Sequence, residues 1–326
     1  MKTARNTTSA PRSTPGLSER LIQRALLLTS QVLGRMIDEG DRLTPEGIHS
    51  VRVAIKRLRA GWRLLRSVLP ADVPAAAEAR LRALHHALAA DRARFVRLGT
   101  VERLRSASDR SELQALWLSV AAAVQDGAGA EVYPQGTSPH RDDAELRGTA
   151  SALTAELIGR AFRAESRAWR ELNAQVVGAE LLPELRRSYR RARRAARAVD
   201  LRDAGSCHVW RLRLKRLLHQ LELLGIAEAV PADLRGQWAD IAVQLGRLQD
   251  LHDLASHVDA LGLPHVATAL FRQRLHVDQR QLQRRLRRRG EVAFGRSSRA
   301  FASLLHASLV TEALSAPLTD RDPHEL

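Results

Sequence analysis

Cysteine occurs once in these 326 residues, at Cys207, so an intramolecular disulfide and a cysteine-cluster metal site are both excluded. Aromatic residues make up only 4% of the chain. Its core must therefore be built from Leu, Ala and Val, side chains that lose little rotamer freedom on a helix. No apolar run approaches the length that spans a bilayer. The opening stretch MKTARNTTSAPRSTPG lacks the apolar segment of a secretory signal and reads as a flexible basic tail over 1–16. These absences lead us to expect a soluble, cytoplasmic protein. Lysine is almost missing as well: the chain has three, and the other 49 of its 52 cations are arginine.

What is present is positive charge. Fifty-two cations face 36 acids, a net charge of +16. A surplus of that size repels itself unless a polyanion, an anionic surface or counterions screen it. Helical periodicity runs through most of the chain, and no convincing alternating strand interrupts it. The expected helices are 17–38, 45–68, 74–104, 109–125, 143–177, 180–200, 206–225, 231–261, 264–289 and 296–315. Thr44-Pro45 reads as an N-cap followed by a proline at the first helical position, and Ser206 as the corresponding cap later on. The loop-like stretch 126–143 divides the chain, giving a first half of about 17–125, a second of about 144–315, and a short tail over 316–326.

The halves repeat. IHSVRVAIKRLRAGWRLL, 48–65, aligns with CHVWRLRLKRLLHQLELL, 207–224, at an offset of 159. His49 falls on His208, Arg52 on Arg211, Lys56 on Lys215 and Arg57 on Arg216. The apolar Val51, Ile55, Leu58, Trp62 and Leu65 fall on Trp210, Leu214, Leu217, Leu221 and Leu224. Two of the three lysines thus occupy one repeat position, which points to a duplicated helical unit.

At about 100° per residue, His49, Arg52, Lys56, Arg59 and Arg63 form one stripe, and the apolar set forms another beside it. Arg57 lies away from both. In the second copy His208, Arg211, Lys215 and His219 make the stripe, while Leu218 and Glu222 replace two cations. Arginine forks grip phosphate oxygens bidentately and lysine adds a movable point charge. The stripes are therefore expected to line a cationic groove. The preceding segment ELRRSYRRARRAARAV, 184–199, turns Arg186, Arg190, Arg194 and Arg197 one way and Leu185, Tyr189, Ala192 and Val199 the other. Arg194 falls at the repeat equivalent of Arg35. RQLQRRLRRRG, 280–290, reads as an exposed helix end whose cations suit the helix dipole.

The duplicated His-x-x-Arg-x-x-x-Lys-Arg-Leu helix, together with LGRLQDLHDL at 245–254, resembles the CHAD family, the conserved-histidine α-helical domain. The resemblance covers about 17–315. It implies an all-α fold of two pseudo-symmetric half-bundles around a basic central cavity that binds inorganic polyphosphate, and in some members association with polyphosphate granules. By that likeness the ligand would run along His49, Arg52, Lys56, Arg57, Arg59, Arg63, His208, Arg211, Lys215, Arg216 and His219, with Arg35, Arg190 and Arg194 nearby. The first-half counterpart of LGRLQDLHDL is LAADRARFVR, 88–97, which lacks the glycine and both aspartates.

Asp250, Asp253 and His257 share a helix face and are competent metal ligands. We expect the two aspartates instead to orient the repeat cations, because a dry arginine-rich interior demands countercharge. His85 and His86 receive no role, and Cys207 has no orienting acid that would make it a nucleophile. No phosphate loop, dinucleotide fingerprint or His-Glu-x-x-His is present. We expect no cofactor, no metal and no catalytic residue. The competing readings are a nucleic-acid-binding protein, which the charge fits but the lack of aromatics on the stripe disfavours, and a metal-dependent polyphosphate hydrolase or phosphotransferase. Oligomeric state is not specified by any of these features.

Overall fold

A computed structural model describes residues 16–40, 44–88, 99–106, 117–124 except 119 and 123, 143–172, 181–258 and 263–315. The expected tails, the loop over 126–142 and residues 89–97 lie outside the described residues. Within them every regular element is helical. The principal helices are α1 (Leu17–Glu39), α2 (Pro45–Leu64), α3 (Asp72–Ala87), α4 (Asp143–Arg170), α5 (Leu181–Ala198), α6 (Ala204–Leu224), α7 (Ala232–His257), α8 (His265–Ala293) and α9 (Ser298–Ser315). Residues 99–106 and 117–124 add shorter helical pieces.

The ends follow local chemistry. Thr44 Oγ1 accepts the Gly47 N–H at 3.0 Å, and Pro45 opens α2. The second cap differs from expectation. Asp203, not Ser206, caps α6, its carboxylate accepting the N–H groups of Gly205 and Ser206. Ser206 Oγ instead accepts the N–H of Asp200 at 3.0 Å. Gly225, at φ 69°, ends α6 in the left-handed region that a side chain would disfavour. Arg24 of α1 lies over that glycine and donates to the Glu222 carbonyl at 2.5 Å. A cation from α1 thus meets the negative end of the α6 dipole.

The apolar stripes pack as their spacing requires. Val51, Ile55, Leu58, Trp62 and Leu65 are buried, as are Trp210, Leu214, Leu217, Leu221 and Leu224. One large core joins them to α1, α3, α4 and α5 and to parts of α7, α8 and α9. A smaller core gathers Val101, Leu104, Trp117, Val120 and Val124 with Leu251, Leu254, Phe271 and Leu275. Val101, Leu104, Trp117, Val120 and Val124 therefore sit on α7 and α8, whereas α4 packs on α1 and α3. The chain exchanges partners across its middle.

The few aromatics are placed where they hold helices together. Trp62 and Trp169 rings lie 4.4 Å apart, and Trp62 Nε1 donates to Glu165 Oε2 at 2.7 Å. Arg80 pairs with the other oxygen of this fully buried carboxylate, also at 2.7 Å. Tyr189 stacks on Phe301 at 4.2 Å, beside Trp238 and Phe294. Where α8 crosses α6, a Cβ on Gly290 would lie 2.9 Å from the Trp210 ring. That ring is itself buried and cannot retreat. Gly290→Ala should therefore cost about 1–3 kcal/mol, read as a lowered midpoint of thermal or urea unfolding with unchanged helicity. A midpoint equal to that of the parent chain would show that this close approach is not tight.

Candidate functional site

The cation stripe of α2 runs along α3. Arg52 is buried, and its Nη1 donates to the carbonyls of Leu88 and, at 3.3 Å, His85. It meets the carbonyls that the C-terminal end of α3 leaves without helical partners. Three turns along α2, Arg63 Nε lies 2.8 Å from Glu78 Oε2, and Arg66 Nη2 lies 2.5 Å from Oε1. Glu78 is only 1% exposed. Between these anchors Lys56 and Arg59 stand half-buried beside His85. Burial, then Arg52, Lys56 and Arg59, push His85 down to about 4, so the ring is neutral at pH 7.

The stripe of α6 runs along α7 in the corresponding way. His208 Nδ1 meets the Gln249 side-chain amide at 2.9–3.1 Å. Arg211 lies flat over Gly246, where a Cβ would stand 3.3 Å from the guanidinium. That contact gives the Leu-Gly of LGRLQDLHDL a physical reason. A side chain there would push the guanidinium back by a few tenths of an ångström.

The two repeat helices cross each other directly, running in opposite directions. Gln220 Nε2 donates to the Ala60 carbonyl at 3.1 Å, and Gly61 approaches Leu223 and Trp169. Arg57 Nε sits 3.1 Å from Glu222 Oε2, an ion pair without hydrogen-bond alignment. Under the 159-residue offset, Arg57 corresponds to Arg216 and Arg63 to Glu222. The pair Arg57–Glu222 at one end of the crossing is thus answered by Arg63 and Arg216 at the other.

Those ends differ in charge balance. At the first, Glu222 faces Arg57, Lys215 and His219, whose Nδ1 is 3.4 Å away. Burial would raise its carboxyl, but the contact with His219 and the charges of Arg57 and Lys215 outweigh it and hold the group below its ordinary value. Lys215 is pushed down by burial and Arg211, with Glu222 opposing. At the other end Glu78 is the carboxylate among the described residues that offsets Arg63, Arg66 and Arg216. Burial, then Arg63 and Arg213, push Arg216 down to about 9. Arg59 is lowered for similar reasons, with Arg63 and Arg82 contributing. The buried Nε atoms of Arg59 and Arg216 have no hydrogen-bond partner among the described residues, a feature they share with Arg57. What sets Arg59 and Arg216 apart is that neither makes a direct ion pair among those residues, as Arg57 does. Charged guanidiniums are held here with incomplete compensation.

Other expected residues stand apart. Exposed His49 lines a groove of about 810 Å³ between α1 and α2 with Arg35 and Arg57. Arg35 is bound to Glu39 at 3.1 Å. Arg190 lines a pocket of about 220 Å³ with Pro183, Arg186 and Arg187, and Arg194 is exposed. The α5 arginine that reaches the charge surplus is Arg191, whose field acts on Arg216. Asp250 pairs with Arg103 at 3.1 Å. His257 Nδ1 lies 2.8 Å from the Asp253 backbone carbonyl and 3.9 Å from its carboxylate. Among the described residues no group of three His, Cys, Asp or Glu is placed to hold a metal. Cys207 is buried and pushed up to about 11, mainly by that burial.

Sequence reasoning missed Glu78, Glu222 and His85. With 88–97 set against 245–254, Glu78 falls on Arg235, so the repeat offers no matching acid to mark it. Glu222 read as a lost cation rather than a countercharge. His85 was set aside because its neighbour His86 points elsewhere, yet its ring borders the stripe.

The fold and this crossing define an all-α protein with cations of two similar helices half-buried around their contact. The CHAD domain family model matches residues 29–259. The chain belongs to the CHAD family. Among solved structures it is similar to PptA from Streptomyces chartreusis, at 19% identity and a TM-score of 0.63, covering 87% of this chain and 100% of that one. It is also similar to the CHAD domain of the plant Ricinus communis, at 21% identity and a TM-score of 0.52, covering 94% and 97%. No curated protein sequence matches it. No helix among the described residues is long and apolar enough to cross a membrane.

The neutral His85 has a consequence for stability. Its folded value, about 4, lies below the ordinary 6.5, so the unfolded chain takes up the proton first. The contribution is present above pH 6.5 and is lost as pH falls toward 4. The unfolding midpoint should drop between pH 7 and 4.5, and His85→Gln should make that drop smaller. An identical drop in the variant would place the acid sensitivity elsewhere.

Proposed function

We propose that this protein binds inorganic polyphosphate along the half-buried cations of α2 and α6 and does not cleave it. Family membership fits a polyphosphate-related role. The single observation that carries the reading is the charge surplus at the α2–α6 crossing, where Arg59, Arg63 and Arg216 share one buried carboxylate, Glu78. An unbranched chain of phosphates supplies the missing negative charge to Lys56, Arg59, Arg63, Arg211, Lys215 and Arg216. The arginines would grip oxygens, and the lysines would neutralise passing charge. The repeat supports a pseudo-symmetric site in which each copy offers a lysine and an arginine from the same positions. Affinity would come from charge and counterion release, falling steeply with salt. Polymer bound there would carry the protein to polyphosphate granules.

Lys56→Ala combined with Lys215→Ala should weaken binding of short polyphosphate by about tenfold or more, measured by calorimetry, while the circular dichroism stays unchanged. Arg160→Ala with Arg163→Ala, on the exposed face of α4, removes equal charge and should leave affinity within about twofold. Equal loss in both variants would mean that net charge alone governs binding. Polyphosphate should displace single-stranded RNA at lower phosphate concentration than the reverse, and the opposite order would favour nucleic acid. Incubation with polyphosphate and Mg²⁺ or Mn²⁺ should release no orthophosphate. Release that is lost on substituting Asp250 or Asp253 would make the protein an enzyme.

A further inference from the structure

The segment 280–290 is not a helix end. Helix α8 continues to Ala293, and its last turn carries no cation, so the dipole does not explain these arginines. Arg280, Arg284, Arg287 and Arg288 recur on one side of α8, and with Arg202 and Asp200 from the α5–α6 turn they line a groove of about 540 Å³. All five arginines are exposed. None makes an ion pair among the described residues. Arg280 donates only to the His276 carbonyl of its own helix, and Asp200 Oδ1 accepts the backbone N–H of Arg202 at 2.9 Å. Elsewhere on α8 the pattern is different: Arg274 pairs with Asp278 at 3.0 Å, and Arg289 pairs with Asp240. The helix neutralises Arg274 and Arg289 and leaves this row uncompensated.

The groove is separate from the α2–α6 crossing. Gly290 of α8 packs on Trp210, which stands on the apolar face of α6, about 100° from Arg211. No residue of the groove belongs to the interior row. We propose that it is a second polyphosphate site, so that one molecule holds two segments of polymer, an inference that rests on the function proposed above. The groove contains no aromatic side chain on which a base could stack. Its one side-chain amide, Gln283, is committed to the Leu201 carbonyl at 3.0 Å, so nothing remains to read base edges. What it offers is a solvated row of guanidiniums spanning about 12 Å from Arg280 to Arg288. A polymer already held by the interior row reaches this groove at high effective concentration, and separate chains become bridged.

The test uses the full chain and a variant with Arg280, Arg284, Arg287 and Arg288 all changed to Gln, a residue of similar helix propensity. Calorimetry with short-chain polyphosphate should show two classes of site in the parent, the weaker one more sensitive to salt. The variant should show the tight class alone. Long-chain polyphosphate should cross-link the parent into large assemblies seen by light scattering, and the variant should remain small. Lys56→Ala with Lys215→Ala should lose the tight class and keep the weak one. A single class in the parent, unchanged in the four-glutamine variant, would overturn the second site and leave the interior one standing. Duplex DNA bound more tightly than polyphosphate, and lost in that variant, would assign the groove to nucleic acid instead. Absence of any polyphosphate binding to the parent would overturn both proposals together.

Discussion

Arg216 lies half-buried beside Arg63, with Glu78 as the buried carboxylate they share, and much of the site follows from that arrangement. Taking a guanidinium out of water is costly unless opposite charge or hydrogen bonds replace the lost hydration. The fold supplies these in part. Arg52 donates to carbonyls at the end of α3, Arg57 pairs with Glu222 by charge alone, and Arg63 pairs with Glu78. Arg216 and Arg59 are left with less. Such a site is a poor way to stabilise a fold and a good way to hold a flexible polyanion.

The same constraint explains details that look unrelated. Gly246 leaves room for Arg211, since a Cβ would press on its guanidinium. His85 stays neutral and so adds no further charge to a row already in excess. The Trp62–Glu165–Arg80 network fixes α2 against α3 and α4 through a fully buried carboxylate, which sets the height at which Lys56 and Arg59 stand. On the outer surface the arginines of α8 are solvated, and the energy of keeping them together is small because water screens it. Two kinds of cationic row therefore coexist: one half-buried and incompletely compensated, one exposed and solvated.

Much of this was legible in the residues themselves. The pairing of Lys56 with Lys215 stood out because lysine is so scarce, and the apolar stripe from Val51 to Leu65 oriented its helix correctly. Helix caps were readable at Thr44. At Ser206 they misled, because Asp203, three residues earlier, starts the helix first and its carboxylate takes the N–H groups of Gly205 and Ser206. Countercharges were the least visible. Glu78 meets Arg63 only after a turn of chain brings α3 back along α2, and Glu222 meets Arg57 across 165 residues of sequence. Periodicity reports which face a residue occupies, not which distant element will cover it. For the same reason the placement of α4 on α1 and α3 left no trace in the local pattern.

The account turns on Arg216 being kept at a cost to the empty fold that bound polymer offsets. The direct test is the unfolding temperature of the parent chain and of Arg216→Met, each measured with and without polyphosphate. Without polymer the methionine variant should melt at or above the parent, since a half-buried, incompletely compensated charge has been replaced by apolar volume. With polymer the parent should gain the larger increase. A variant that melts well below the parent when empty, yet gains as much from polyphosphate, would contradict the account.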